Sequence, residues 1–542
     1  MLQRPLRLGT RRSLLARAQS SAVARTLERA HPGLKVELVG IDTRGDKITD
    51  IPLSQVDGKE FFTAEIDAAL LSSAVDLTVH SFKDLSLERP ASLHLAAVPV
   101  RQNPRDIVFF ARDVREQLAR GATLRIGSSS PRRAAFVPEF LERALPGRAV
   151  GASVTGAAAA GSGPRVELCP LRGNVDSRLR RLREPRGSER QLDGVILAFA
   201  GVSRLWQDEA VGAGALLREL LVDLPRMLLP LNLCPAAPAQ GALAIECRSE
   251  DAPTRALLAA IDDPGTRSSV AAERELLAER GGGCHQQFGA TQVEVEGLGA
   301  LLYVRGASEQ GTQPPELRWT APTALVTLAA PDAARGAVRS WDGSAQPAPA
   351  VMGVPGAVAA CTERLSMAPA CFVAHRRALP DLPAELVNRC AHLWVSGTES
   401  WFALAARGVW VEGCAESLGF ASLRPQLSEP LLNLPPLTQW LALTSHEAAA
   451  AWTEMPALAT YGHVASAPVT GPGADATHIW WHSSVQFDQW RQANGGPSAL
   501  TRAAHACGPG KTAAHLRLAG VADLAVFPSV RQWREWLKRV NR

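Results

Sequence analysis

Leu124-Arg125-Ile126-Gly127 runs directly into Ser128-Ser129-Ser130-Pro131-Arg132-Arg133. The first four residues read as a strand and the next six open a helix. That junction gathers hydroxyls, free backbone N–H groups and guanidinium groups at a helix start, where partial positive charge favours anions. Two more junctions repeat the design. Strand Val166–Leu171 leads into Arg172-Gly173-Asn174-Val175-Asp176-Ser177-Arg178, and strand Gly194–Ala200 leads into Gly201-Val202-Ser203-Arg204. Gly173 lets a ligand approach the backbone, framed by Arg172 and Arg178. Alternating strands and helices define an α/β fold, whose ligands collect at the carboxyl ends of the strands. Several arginines converging there suit a ligand with several carboxylates or phosphates, which guanidinium pairs bidentately. The ordinary alternative for any single arginine is a solvated helix face. The run Arg178, Arg180, Arg181, Arg183, Arg186, Arg190 is in part such a face.

Upstream, Leu6–Gly9 reads as a strand, Leu14–Ala30 as a helix ending before His31-Pro32-Gly33, and Lys35–Ile41 as a strand. Helix Ala64–Ser72 and strand Val75–His80 complete a βαβ pattern with a mainly parallel sheet. The long polar connection Asp42–Phe62 is a candidate lid. Val79-His80-Ser81-Phe82-Lys83-Asp84 then sets an amine and an acid side by side at a strand end, suited to proton or cation chemistry. A buried, satisfied helix cap is the alternative for Asp84.

Downstream, Gly147–Gly163 is Ala/Gly/Ser-rich and reads as a surface insertion. Helix Thr266–Arg280 stops at Gly281-Gly282-Gly283, just before Cys284. A helix C-terminus does not favour a thiolate, so Cys284 reads not as a turnover nucleophile but as an accessible loop thiol open to a single modification, with an inert cysteine as the ordinary alternative. A small α+β domain follows. Residues 340–370, rich in Pro, Ala and Gly, form the expected linker, and residues 371–542 return to an α/β pattern.

The 542 residues suffice for three or four domains, and 46% hydrophobic with 20% charged residues exclude a disordered chain. Of 13 tryptophans only Trp206 lies in the first 300 residues, and the rest begin at Trp319, as if two proteins were joined. Net charge is +5, with 39 basic and 36 acidic residues up to position 300 and 19 and 17 after it, too balanced to argue for nucleic acid. The nine cysteines contain no CxxC pair, so no zinc ribbon or thioredoxin motif is indicated, and reduced thiols in a cytoplasmic protein are expected. No metal site is expected; His478 and His482 flank Trp480-Trp481 with a strand's alternation. No apolar run reaches the ~18 residues that a membrane helix needs. The first 27 residues lack acid, as in a mitochondrial transit peptide, yet residues 10–13 read as functional.

Taken in order, Thr10-Arg11-Arg12-Ser13, Thr43-Arg44-Gly45-Asp46, Val79–Asp84, Gly127–Arg133, Leu171-Arg172-Gly173-Asn174-Val175, Gln240-Gly241-Ala242-Leu243-Ala244-Ile245-Glu246 and Gly282-Gly283-Cys284 resemble the hydroxymethylbilane synthase (porphobilinogen deaminase) family over about residues 4–305. The resemblance implies two periplasmic-binding-protein-like α/β domains and a small α+β domain. The expected layout is 1–103 with 224–247, then 104–223, then a cofactor-attachment domain 248–339. It implies a dipyrromethane cofactor held by a thioether to Cys284, with Lys83, Ser128, Ser129, Ser130, Arg132, Arg133 and Gly173 contacting it. Four porphobilinogen units would be added in turn, each losing ammonia, before water releases the linear tetrapyrrole. Arg11, Ser13, Arg172, Arg178 and Arg204, with Lys59 and Phe62 from the lid, match the family's substrate contacts. Asp84 matches its catalytic acid, which stabilises positive charge on the reacting pyrroles. A small-molecule substrate, a monomer, and no nucleic-acid or membrane partner are implied. Glu60, Pro131 and Ala239 depart from the family pattern.

In the C-terminal part, Trp480-Trp481-His482-Ser483-Ser484, Ala506-Cys507-Gly508-Pro509-Gly510-Lys511-Thr512-Ala513, Leu393–Thr398, Leu441–Ser445 and Ala459-Thr460-Tyr461 resemble uroporphyrinogen III synthase. That enzyme consumes the first one's product, so the chain reads as a fusion. The competing expectation is a two-domain protein that captures a polycarboxylate without chemistry, followed by an inert accessory domain.

Overall fold

The computed structural model describes residues 4–43, 63–147, 163–282, 286–308, 311–320, 338–343, 350–464, 472, 476–494, 500 and 503–540. The expected lid beyond Thr43, nearly all of the Gly147–Gly163 insertion, and Cys284 lie outside the described residues.

The chain opens with strands β1 (Leu6–Arg11), β2 (Val36–Ile41), β3 (Leu77–Ser81) and β4 (Leu93–Ala97). It crosses to β5 (Asp106–Phe110), β6 (Thr123–Gly127), β7 (Arg165–Cys169), β8 (Gly194–Ala198) and β9 (Arg226–Leu228), then returns as β10 (Leu243–Arg248). Two five-stranded sheets result, ordered β2-β1-β3-β10-β4 and β7-β6-β8-β5-β9. In each, four strands share one direction and a fifth, β10 in the first sheet and β5 in the second, runs antiparallel between two of them. This placement decides the site. Because β5 runs against β8, its first residue Asp106 pairs with Ala198 at the carboxyl end of β8. Because β10 runs against β3, Leu243 pairs with Ser81, so Gln240 and Gly241 lie just beyond the carboxyl end of β3. The two crossovers, 98–105 and 229–242, are the chain's only direct links between these sheets among the described residues. Strand β9 pairs with β5 and therefore belongs to the second sheet, not to the first, where 224–247 was expected.

Local sequence explains the elements. Helix Leu14–Ala30 starts because Ser13 caps it, its hydroxyl accepting from the Ala16 N–H at 3.3 Å. Leu27, Val23 and Ala24 bury against Leu6 and Leu8 of β1. Helix Pro131–Ala144 has Ser130 as its cap and proline in its first turn, and it buries Phe136, Val137, Phe140 and Leu141. Helix Pro264–Glu279 is capped by Asp263. It packs beside the third sheet, in which β11 (Phe288–Val295) pairs antiparallel with β12 (Gly299–Ser308), joined by β13 (Gly311–Thr312) and β14 (Glu316–Trp319).

The C-terminal part holds two more sheets. The smaller starts with β15 (Ser340–Trp341), and the larger contains β16 (Val351–Gly353), β17 (Ala370–Val373), β18 (His392–Val395), β19 (Gly413–Cys414), β20 (Trp440–Ser445) and β21 (Ala457–His463). Strands β22 (His478–Trp481), β23 (Ala504–Cys507) and β24 (Ala525–Val526) complete the smaller one. The orders are β16-β21-β20-β17-β18-β19 and β15-β22-β23-β24, mainly parallel. The expected linker at 340–370 is not one. It supplies β15, β16 and helix Ala357–Met367, with Ala357, Cys361 and Leu365 buried one turn apart. The surrounding Ala, Gly and Pro gave the segment a linker-like composition, although these three residues form an apolar stripe.

Nor is the C-terminal part merely tethered. Val108, Phe110, Phe136 and Phe140 share one continuous core with Cys361, Trp401 and Trp410. Trp401 lies edge-on to Phe140 at 5.2 Å and donates its indole N–H to the Ala144 carbonyl at 3.1 Å. Trp410 is edge-on to Phe110 at 5.2 Å. Large aromatic rings dominate such burial, so the late tryptophans serve the seam between the two halves as well as the C-terminal core. The eight described cysteines are free thiols. No helix among the described residues is long and apolar enough to cross a membrane.

Candidate functional site

Asp106 is fully buried at the start of β5 and accepts from two arginines, Arg132 Nη2 at 2.7 Å and Arg133 Nη2 at 2.8 Å. Both arginines come from the first turn of helix Pro131–Ala144, so the helix start and the antiparallel strand meet at one carboxylate. Burial alone would raise the Asp106 pKa, but the two guanidinium groups outweigh it and hold the carboxyl well below its usual range. Arg132 also donates to the Pro235 carbonyl at 2.8 Å and Arg133 to the Ile196 carbonyl at 3.0 Å. Their buried Nε atoms have no hydrogen-bond partner among the described residues.

Gln240 links this cluster to the first sheet. Its amide donates to Asp106 Oδ1 at 2.9 Å and to the Pro104 carbonyl at 2.7 Å, and its oxygen accepts from Lys83 Nζ at 3.3 Å. Burial pushes the Lys83 pKa down, Asp84 pulls it up, and Arg133 pushes it down again. Lys83 and Asp84 sit on a single 3-10 turn, Phe82–Asp84, directly after β3. Asp84 is exposed, so it is not the buried cap that was its alternative.

On the facing side, Arg178 donates to the Gly173 carbonyl at 2.8 Å. Loss of solvent, then repulsion from Arg133, lowers its pKa to about 10 against the pull of Asp84. Arg204 donates to the Gly241 carbonyl at 2.6 Å, and burial lowers it to about 10. Gly173 has φ +103°, and a Cβ there would lie 2.5 Å from Ser177 Oγ, so the turn requires glycine. Ser129 ties two junctions together, its hydroxyl donating to the Leu171 carbonyl and accepting from the Leu171 N–H, both at 2.8 Å. Ser128 Oγ accepts from the Ser130 N–H at 3.3 Å, and Ser130 Oγ from the Arg133 N–H at 3.4 Å.

The structure thus brings together Lys83, Asp84, Arg132, Arg133, Arg172 and Arg178, whose charges act on one another, with Arg204 beside them on Gly241. Arg11 ends β1 and acts on His80. Ser13 spends its hydroxyl on the helix cap. Cys284, Lys59 and Phe62 lie outside the described residues. The flank of Cys284 is fixed, however. Arg274, in the helix leading to it, donates to the Leu85 carbonyl at 3.0 Å and the Ser86 carbonyl at 2.8 Å. Gly282 packs against Leu87, three residues beyond Asp84. Other arginines of the expected solvated face have structural partners: Arg186 pairs with Asp113 and Asp193, and Arg183 donates to the Leu220 carbonyl.

Sequence reading missed Asp106 and Gln240 as site residues. The available signal for Asp106 was one acid opening an otherwise apolar strand, Asp-Ile-Val-Phe-Phe. Buried Asp67, His80 and Glu246 bring ligating atoms within 4.8 Å of one another. Arg89 pairs with both carboxylates at 2.7 Å, which makes that group an ion-pair network instead of a cation site.

At the strand ends of the two α/β sheets, guanidinium and ammonium groups outnumber the carboxylates beside them, a charge pattern suited to an anionic ligand. Residues 6–256 match the family model described as porphobilinogen deaminase, dipyrromethane cofactor binding domain. Porphobilinogen deaminase of Syntrophobacter fumaroxidans is 37% identical over 300 residues, 55% of this chain and 82% of that protein. Porphobilinogen deaminase 1 of Streptomyces avermitilis is 41% identical over 295 residues, 54% of this chain and 79% of that protein. The Roseiflexus castenholzii deaminase is 39% identical over 303 residues, covering 56% and 86%. Among solved structures, YhfZ from Shigella flexneri overlaps 52% of this chain and 99% of its own at a TM-score of 0.22 and 14% identity, a likeness that carries no argument. The chain belongs to the porphobilinogen deaminase family.

The dipyrromethane cofactor of that family fits the residues present. A dipyrromethane with acetate and propionate arms is a tetracarboxylate. It would meet cations whose pKa values are lowered by burial and by neighbouring cations, Lys83, Arg178 and Arg204 among them.

Proposed function

We propose that this chain is a hydroxymethylbilane synthase, joining four porphobilinogen molecules head to tail with release of ammonia. The observation that carries the reading is the crowding of Lys83, Arg132, Arg133, Arg178 and Arg204 at the strand ends beside the exposed acid Asp84. Crowded cations destabilise one another, and each bound carboxylate relieves that cost. Ser128, Ser129, Ser130, Lys83, Arg132, Arg133 and Gly173 would hold the cofactor, tethered at Cys284. When bound, it offers a terminal pyrrole with a free α-carbon as the first acceptor. Arg11, Ser13, Arg172, Arg178 and Arg204, with Lys59 and Phe62, would take the carboxylates of incoming substrate. Asp84 would sit near the pyrrole N–H groups and stabilise positive charge as each C–C bond forms. Burial lowers Lys83, so it binds through a cation that is less firmly protonated than a surface lysine.

The reading divides the first half into domain 1 (about 1–103, resuming after β9), domain 2 (about 104–228) and a cofactor-attachment domain to about 339, and takes the protein as a cytoplasmic monomer. It also assigns uroporphyrinogen III synthase activity to the C-terminal part. One observation favours that second activity: Ser445, Tyr461, Trp481 and Cys507 lie at or near the carboxyl ends of parallel strands. Beside them Lys511 lies 3.4 Å over the Trp452 ring, with its pKa lowered by burial to about 7. Product analysis from porphobilinogen tests both parts. Type III uroporphyrinogen is expected; type I alone refutes the second activity, and no consumption refutes the first. A binding protein without chemistry would capture the substrate unchanged.

A further inference from the structure

Two buried glutamates hold the crossovers between the two five-stranded sheets in the same way. Glu273, from helix Pro264–Glu279, pairs with Arg101 of the first crossover and accepts from the Ala239 N–H of the second at 2.7 Å. Glu416, from the C-terminal part, accepts from Arg105 of the first crossover at 2.6 Å and from the Asn232 N–H of the second at 3.2 Å. Each carboxylate therefore takes one arginine from the first crossover and one backbone N–H from the second, and Glu273 also accepts from the Gln292 N–H of β11 at 2.7 Å. Glu416 is 6% exposed and Arg105 is 9% exposed, so the pair is largely withdrawn from water.

Glu416 is held in an unusual backbone state. Its φ is +51° and that of Ser417 is +65°, a conformation that costs an L-residue energy and persists where the surroundings enforce it. The carboxylate also acts on Tyr303 of the third sheet. Next in sequence to Arg105 stands Asp106, which orients Arg132 and Arg133, and Gln240 at the end of the second crossover holds both Asp106 and Lys83. Nearby, the Leu228 N–H donates to the Glu412 carbonyl at 2.8 Å, which fixes the start of the second crossover to the same C-terminal segment.

We propose that Glu416 is a positioning residue for the deaminase reaction. Through it the C-terminal part sets the relative placement of the two sheets that face across the substrate cleft. Glu273 does this from within the deaminase portion, and Glu416 adds a second pin from outside it. The proposal rests on the deaminase reading for its effect on turnover, but the pin itself is a property of the fold. A polyanion that grows by one unit at each step needs the two sheets held at a serviceable separation, and two pins on two crossovers supply that restraint.

The test uses the full chain with Glu416→Ala, Glu416→Gln and a control, Glu399→Gln, which alters an exposed contact of the same seam at 4.0 Å from Arg143. Hydrogen exchange is read on residues 98–106 and 229–241, and kcat and KM on hydroxymethylbilane formation. In Glu416→Ala both crossovers are expected to exchange at least tenfold faster, while peptides around Ala144 and Trp401 stay as in the wild type. The expected kinetic result is a fall in kcat of about tenfold with KM within twofold, a smaller change for Glu416→Gln, and none for Glu399→Gln. Unchanged exchange in the crossovers overturns the proposal, as does a uniform rise across the chain, or kcat unaltered in Glu416→Ala. Absence of covalent cofactor from the wild type would instead count against the deaminase reading, and the exchange result stands apart from it.

Discussion

Replacing Asp106 by Asn isolates the electrostatic centre of the site. The amide keeps the volume and one acceptor oxygen, but it removes the charge that Arg132 and Arg133 share at 2.7 and 2.8 Å. All three side chains are 7% exposed or less, so water cannot replace the lost partner. Breaking a buried ion pair typically costs about 3–5 kcal/mol, because a charge is left uncompensated. Here two cations are left, and if the retained oxygen serves Gln240 and Arg133, the new amide NH2 faces Arg132 donor to donor, so the upper part of that range is expected. The assay is denaturant unfolding at pH 7, followed by intact mass to count covalent cofactor. Loss of about 3–5 kcal/mol is expected, and an incomplete cofactor complement with it. The pH dependence has a definite sign. The carboxyl is held below its unfolded value of about 3.9, so its stabilisation is present above that pH and is lost as pH falls through the folded value. Asp106→Asn should therefore flatten the acid limb of the stability curve below about pH 4. Asn tolerated at wild-type stability, with the acid limb unchanged, would refute the claim that Asp106 anchors the arginine pair.

Further variants address separate links. Cys284→Ser should yield folded protein lacking the covalent cofactor, seen as the missing mass increment. Asp84→Ala should retain cofactor while turnover falls by about 10²–10⁴, the range for loss of an acid–base group. Trp401→Ala empties a fully buried site between Phe140 and Ala144 and should cost about 3–5 kcal/mol, measured as a lower unfolding midpoint for the deaminase portion as well as the C-terminal part.

Much of the first half was legible because its elements follow simple local rules. Helix Leu14–Ala30 was readable to the residue, since its apolar spacing runs up to the terminating His31-Pro32-Gly33. The three strand–helix junctions were readable because Ser, Gly and Arg cluster where the strands end. What escaped was non-local. Asp106 and Gln240 matter only because β5 and β10 run against their neighbours, which delivers their leading residues to the carboxyl ends of parallel strands. Antiparallel insertion into a parallel sheet is set by tertiary topology and leaves no mark in a short window. Helix Ala357–Met367 escaped for another reason. Its buried stripe is Ala357, Cys361 and Leu365, three side chains set within a Pro/Ala/Gly-rich stretch that reads as a linker. The tryptophan asymmetry foretold two joined cores, but not that they would merge across Phe140 and Trp401.

The central claim is that the arginine-lined cleft serves a covalent oligopyrrole chemistry anchored at Cys284. Intact mass of the purified chain, before and after addition of limiting porphobilinogen, tests it most directly. The account predicts a dipyrromethane-sized increment that is absent in Cys284→Ser, then a ladder of further increments one pyrrole unit apart. An unmodified chain that binds porphobilinogen without any covalent gain would contradict it.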